Sequence, residues 1–84
     1  MAVLQVFIHR GCMSEQPACV LADQIRKEFP ACRVDVIDNQ ERARTLGLPA
    51  VPAFVLDGEL LAVGVPSKDW LVSRLHERSR RPKR

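Results

Sequence analysis

The sequence predicts a single α/β domain: a four-stranded mixed sheet flanked by helices, in the order β-α-β-β-β-α. Three observations carry this prediction. A nearly continuous apolar run rich in β-branched residues, 3–8, and a strand-like run, 33–38, with Val34 and Val36 on one side, bracket a stretch whose apolar side chains recur at helical spacing, the pattern of a parallel crossover unit. The Asp57-Gly58 pair separates two further strand-like runs and signals a two-residue hairpin. A last segment with a helical apolar face follows Gly64-Val65-Pro66-Ser67. At 84 residues the chain suffices for one domain and not for two.

Each element has a local reason. Residues 3–8 (Val-Leu-Gln-Val-Phe-Ile) are almost continuously apolar, as suits a strand covered on both faces. A loop over 9–13 follows. Ser14 is a suitable helix cap, and Pro17 falls in the first turn, where its missing N–H is tolerated. Ala18, Leu21, Ala22, Ile25 and Phe29 define one buried face, and Pro30 ends the helix. The second strand, 33–38, carries Val34 and Val36 on one side; a right-handed crossover makes it parallel to the first. A polar segment, 39–45, leads through Leu46 to Gly47, which reads as a helix-terminating glycine. Strands over 53–56 and 59–63 then pair antiparallel through the Asp57-Gly58 turn. The last helix is expected over 68–76, with Trp70, Leu71 and Leu75 inward and Val72 at the edge. The domain is thus expected to span 1–77, ahead of a basic, disordered tail at 78–84.

Composition excludes several classes. A hydrophobic fraction of 46% belongs to a globular chain rather than a disordered one. No apolar stretch approaches the roughly 20 residues that span a bilayer, so no membrane partner is expected. The N-terminal apolar run lacks a basic flank before it and meets His9 and Arg10 after it, unlike a signal peptide. Three cysteines, an odd count, without an export signal predict free thiols in the reducing cytoplasm rather than a stapled secreted scaffold. No cysteine pair has zinc-site spacing, and His9 and His76 lie far apart in the sequence, so no metal site is expected. The formal net charge of +3 hides a division: Arg78, Arg80, Arg81, Lys83 and Arg84 hold five of thirteen basic side chains, leaving eight against ten acidic ones. The body is mildly acidic. The basic end reads as a solvated, frayed terminus, with contact to nucleic acid or anionic lipid as the lesser reading.

Two motifs sharpen the assignment. One is a cysteine, Cys12, in the loop between the first strand and first helix. The other is Leu46-Gly47-Leu48-Pro49-Ala50-Val51-Pro52-Ala53-Phe54-Val55-Leu56-Asp57-Gly58, in which a glycine, a hydrophobic pair and a proline precede a strand and a tight turn. On these motifs the chain resembles the thioredoxin-fold superfamily, in its minimal, glutaredoxin-size form, over nearly everything but the basic tail. The resemblance implies a cis prolyl bond at Pro52 facing Cys12. An X–Pro bond in cis costs only about 0.5–1 kcal/mol.

The chain also departs from the family. The redox pair Cys-x-x-Cys is here Cys12-Met13-Ser14-Glu15, with Glu15 at the place of the resolving cysteine. The buried acid that assists proton transfer in thioredoxins falls at Val6. The glutathione-holding Gly-Gly-Cys-Asp segment of glutaredoxins reads Gly64-Val65-Pro66-Ser67 and keeps only the glycine. Met13 and Glu15 also depart from the Cys-Gly-Phe-Ser of iron–sulfur-carrying monothiol glutaredoxins.

Cys12 is the expected catalytic residue, because a thiolate is favoured by the unpaired N–H groups and dipole at the start of a helix. His9 and Arg10 are expected to add positive field, and Glu15 to oppose it. The alternative is an inert loop cysteine. By resemblance, the backbone of Val51 and Pro52 pairs with an extended substrate, and Gly64, Arg10 and His9 complete the substrate-binding set. Cys19 is the candidate resolving thiol, expected on the helix flank beside Asp23 and Arg26. A helix of 1.5 Å rise would hold it roughly 9–11 Å from Cys12, whereas a disulfide needs Cα atoms within about 7 Å. Cys32 reads as buried and apolar, at the far end of the sheet. Trp70 and the phenylalanines read as core.

Two functions remain open on these residues. One is a single-cysteine thiol–disulfide exchanger that needs no cofactor, acting on a protein disulfide or on glutathione as co-substrate. The other is a non-catalytic thioredoxin-like module that docks a partner in the Cys12–Pro52 groove. The redox reading requires those two residues at one cleft.

Overall fold

The computed structural model of the chain describes residues 2–11 and 15–80. Its elements are β1 (Val3–Phe7), α1 (Glu15–Glu28), β2 (Arg33–Ile37), α2 (Gln40–Thr45), β3 (Ala53–Leu56), β4 (Glu59–Val63) and α3 (Lys68–Arg80). The four strands form one sheet in the order β2-β1-β3-β4. β1 runs parallel to β2, with Leu4 opposite Val34, and antiparallel to β3, with Leu4 opposite Leu56. β3 and β4 pair antiparallel, with an irregularity between Phe54 and Val55.

β1 is nearly continuous in apolar character because both its faces are covered. Leu4, Val6 and Ile8 join Phe54 and Leu56 in the larger core, with Ala18, Leu21, Ala22 and Ile25 of α1 and Leu71 and Leu75 of α3. Phe7 belongs to a second, smaller core with Ala43, Ala53 and Val55, bordered by Ile37, Leu48 and Val51. Full burial of one such Leu or Phe is worth roughly 1.5–3 kcal/mol. Val36 shares its side of β2 with Val34 but stays partly exposed, whereas Val34 is buried.

The hairpin follows its turn residues. Asp57 and Gly58 both have positive φ, at 50° and 84°, the twist that a two-residue turn between antiparallel strands requires. The Asp57 carboxylate and backbone clamp this turn to β1: Val3 N–H donates to Asp57 Oδ1 at 2.9 Å, and Asp57 N–H to Val3 O at 2.9 Å.

Two elements differ from the sequence expectation. The expected order β-α-β-β-β-α leaves out a helix after β2; the polar segment ahead of Gly47 forms one, α2. Asn39 caps it by accepting the Arg42 N–H at 3.0 Å, and Ala43 is buried beneath it. At its other end Gly47 (φ 74°) donates to Arg44 O, and Leu48 to Ala43 O, the paired bonds of a helix end closed by a left-handed glycine. The element order is therefore β-α-β-α-β-β-α. The last helix also runs to Arg80 rather than stopping at His76. Leu71 and Leu75 are buried on it as expected, while Trp70 and Val72 lie half-buried against the core. Trp70 carries the Arg74 guanidinium 5.3 Å from its ring centre. Of the expected tail, residues 81–84 lie outside the described residues.

The two sheet edges are unlike. On β2, the Arg26 guanidinium donates to Val34 O at 2.8 Å and pairs with Asp23, while Arg33 pairs with Asp35 at 3.1 Å. Charged side chains thus occupy an edge that would otherwise be open to strand addition. On β4, Leu60 and Val63 are exposed.

Candidate functional site

Strand directions decide which segments meet. Phe7 lies opposite Ala53, so the chain leaving β1 passes beside the residue that enters β3, Pro52. The Val51–Pro52 peptide bond is cis. Gly64 N–H donates to Pro52 O at 2.7 Å, which brings the end of β4 to the same place. The parallel β1–β2 pairing adds residues 38–40, and Ile8 N–H donates to Ile37 O at 2.9 Å. Five of the residues singled out in the sequence, His9, Arg10, Val51, Pro52 and Gly64, therefore share one end of the sheet. Cys12, the expected catalytic residue, lies outside the described residues, as do Met13 and Ser14.

The remaining cysteines are free thiols. Cys19 lies half-buried on α1 and packs against the larger core, rather than out on the helix flank. Cys32 is buried at the opposite sheet end, next to Arg33, whose N–H donates to Ala2 O. Burial pushes the Cys32 thiol above its ordinary value; a backbone hydrogen bond from Leu4 works against this and the Asp57 charge reinforces it.

Polar side chains around the loop after β1 are engaged with one another. Gln40 Nε2 and His9 Nδ1 are 2.6 Å apart, a hydrogen bond in which a neutral imidazole accepts from the amide. Arg10 Nε lies 3.0 Å from Asp38 Oδ2 and Arg10 Nη1 3.8 Å from Glu15 Oε2. Glu15 Oε1 accepts the Gly11 N–H at 2.9 Å. The sequence expectation sets Glu15 alone against the positive field of Arg10 and His9; in the structure Arg10 faces a second carboxylate, Asp38, as well, and the three groups together carry a formal charge of −1. Asp38 and Gln40 had no signal in the sequence, since only the parallel register brings them to the loop.

Val6, at the position where the resemblance places a buried acid, is fully buried in the larger core. Among the described residues no three His, Cys, Asp or Glu side chains converge as metal ligands. No helix among them is long and apolar enough to cross a membrane.

Comparison with known proteins bears on this arrangement. No protein-family model matches the sequence. A probable thioredoxin of Methanothermobacter thermautotrophicus is 30% identical over 78 residues, spanning 88% of this chain and 92% of its own length. A thioredoxin of Methanocaldococcus jannaschii is 30% identical over 64 residues, spanning 76% of this chain and 71% of its own. Among solved structures, a mutant thioredoxin from Halobacterium salinarum superposes with a TM-score of 0.82 at 26% identity, covering 98% of this chain and 78% of that one. A malaria-parasite thioredoxin-2 shares the fold, with a TM-score of 0.80 at 16% identity over 92% of this chain and 82% of its own. The sequence likeness covers most of the chain, and the chain belongs to the thioredoxin family.

Proposed function

We propose that the protein is a thiol–disulfide exchanger that works through the single thiol of Cys12. The reading is supported by one juxtaposition above all: the loop that carries Cys12 leaves β1 beside the cis Val51–Pro52 bond, because Phe7 pairs with Ala53. Kinship with thioredoxins supports the same chemistry.

In the proposed step the Cys12 thiolate attacks one sulfur of a disulfide. One S–S bond forms as another breaks, and the departing sulfur leaves as a thiolate that takes up a proton. Glu15 stands where a second cysteine would resolve the product. Release therefore falls to an external thiol, either glutathione or a protein thiol, which attacks the mixed disulfide and regenerates Cys12. An extended substrate would lie along the Val51 backbone, held by main-chain hydrogen bonds of the strand-addition kind. Gly64, bonded to Pro52 O, keeps that segment in place.

The test is glutathione-coupled reduction of a small disulfide by wild type and by Cys12→Ser. Activity confined to the wild type is expected, with glutathionylation mapping to Cys12 by peptide mass. Equal rates from the two proteins would remove the proposal.

A second reading has its own support: Glu15 replaces the resolving thiol, Val6 replaces the acid, and Arg10 is engaged by carboxylates. In it, the same end of the sheet docks a partner without turnover. Partners that stay bound to Cys12→Ser in the presence of reductant would favour docking over exchange.

A further inference from the structure

β4, the strand at the open end of the sheet order, carries a pattern that the rest of the fold does not use. It pairs with β3 as Leu60 with Val55 and Val63 with Ala53. Opposite residues of an antiparallel pair project from the same face, and Ala53 and Val55 both belong to the smaller core. Leu60 and Val63 therefore stand on that face too, beyond the cover of α2, which is only six residues long. They are 43% and 48% exposed. Leu61, between them, packs against the larger core instead. The register irregularity beside Phe54 and Val55 is what sets two apolar side chains an odd number of positions apart on one face.

The sheet's two edges differ in what guards them. On β2, Arg26 covers Val34 O, with Arg33 and Asp35 adding charge beside it. On β4 the only charged residue is Glu59, at the start of the strand. Among the described residues no side chain bonds to the outward backbone of 60–63. An edge left open in this way is a template for a further strand. Two identical edges meet about a twofold axis normal to the sheet, which makes the strands antiparallel. Leu60 of one copy then falls opposite Val63 of the other, on the same face, at both symmetry-related places. The two Glu59 carboxylates lie at opposite ends of the strand pair, roughly 17 Å apart. That exceeds the Debye length of about 8 Å at physiological salt, so like charges do not oppose the pairing.

We infer that the β4 edge pairs the chain with a second copy of itself, joining two four-stranded sheets into one. The guarded β2 edges, now the outer ones, stop growth at two chains. Pro52 and Gly64 sit at the Val63 end of β4, so the antiparallel arrangement sets the two prolyl segments at opposite ends of the shared strand pair. The inference stands apart from any role of Cys12. With five residues from each copy, the contact falls below the roughly 1,200–2,000 Å² of a stable interface. The pair is therefore weak and reversible, with a dissociation constant on the order of 100 µM.

The experiment is sedimentation equilibrium of the full chain from about 20 µM to 1 mM, with reductant present throughout so that no disulfide links the copies, and amide NMR shifts followed over the same range. Two double variants are compared with wild type: one carries Leu60→Glu with Val63→Glu, the other Leu60→Lys with Val63→Lys. Both positions are exposed, and circular dichroism checks that each variant keeps the fold. The wild-type mass should rise from one chain toward two, with the concentration-dependent shifts concentrated at 60–63. Each variant alone should associate about tenfold more weakly or not at all, because like charges then face one another across the edge. An equimolar mixture of the two should pair again at low salt and lose the pairing as salt rises. A wild-type mass that stays at one chain up to 1 mM, shifts confined to another surface, or a glutamate variant that pairs as well as wild type would overturn the inference. Growth past two chains belongs to Arg26→Ala, which opens the second edge; in wild type it would overturn the closure at two.

Discussion

Truncating Leu71 to alanine should cost about 3 kcal/mol of folding stability. Leu71 is fully buried and belongs to the core that α3 shares with β1, β3 and α1, where Leu75 is its companion from the same helix. Buried Leu→Ala substitutions cost about 2–5 kcal/mol, depending on how far the surroundings collapse into the space. α3 lies on the outside of the sheet and is able to settle inward, which places the expected value near the lower middle of that range. An 84-residue domain holds about 4–13 kcal/mol in total, so the loss is a large share. The assay is equilibrium urea unfolding followed by tryptophan fluorescence. The chain has one tryptophan, Trp70, next to Leu71 on the same helix, so the signal reports whether α3 is docked. With a slope of about 1 kcal/mol per molar urea, the midpoint should fall by about 3 M. The control is Leu60→Ala on the exposed β4 edge, 43% accessible, which should cost well under 1 kcal/mol. A Leu71→Ala loss below about 1 kcal/mol, or a loss equal to that of Leu60→Ala, would refute the assignment of α3 as a core-closing helix.

The remaining predictions concern an edge, a turn and a thiol. Arg26→Ala removes the guanidinium from Val34 O and should cost about 0.5–1.5 kcal/mol; it also bares the β2 edge, so size-exclusion chromatography at rising concentration should show association that the wild type lacks. Gly58→Val places a β-branched residue at φ 84° and should lower stability by roughly 1–2 kcal/mol, read as a melting shift of several degrees. Cys32, whose thiol is raised above 9.0 first by burial, should resist alkylation in the folded chain while reacting fully in urea. Its proton is held more tightly folded than unfolded. The stability it supports is therefore present below the ordinary thiol value and declines as pH rises past it, because the unfolded thiol ionises first. Cys32→Ala should flatten that alkaline decline in thermal melts between about pH 8 and 10, and an unchanged slope would contradict the burial argument.

The site's electrostatics bear on the choice between exchange and docking. A free Arg10 beside Cys12 would have stabilised a thiolate and attracted an acidic co-substrate. An Arg10 held between Asp38 and Glu15 does neither in full.

Much of the fold was legible because its causes are local. The helical spacing from Ala18 to Ile25, Pro17 within the first turn of α1 and the Asp57-Gly58 turn all act over a few residues, and each element formed near its expected place. Cys32 was also readable: its parity with Val34 and the crossover geometry together put it in the core away from the site. α2 was not readable as a counted helix. At six residues it is too short for a periodic pattern, and its support comes from Asn39, from the Gly47 closure and from the burial of Ala43 under the sheet.

By itself, then, the sequence determined which segments become strands and helices, which sides of them are apolar, and that a cysteine loop and a prolyl segment exist. What the tertiary structure alone decided is who meets whom at the end of the sheet. Arg10 reaches Asp38, and His9 reaches Gln40, because β1 and β2 run parallel in one register. The loop after β1 borders Pro52 because β1 and β3 run antiparallel in another. Registers of this kind are set by burying whole faces of a sheet, a property of many side chains together, so no single residue in the sequence announces them.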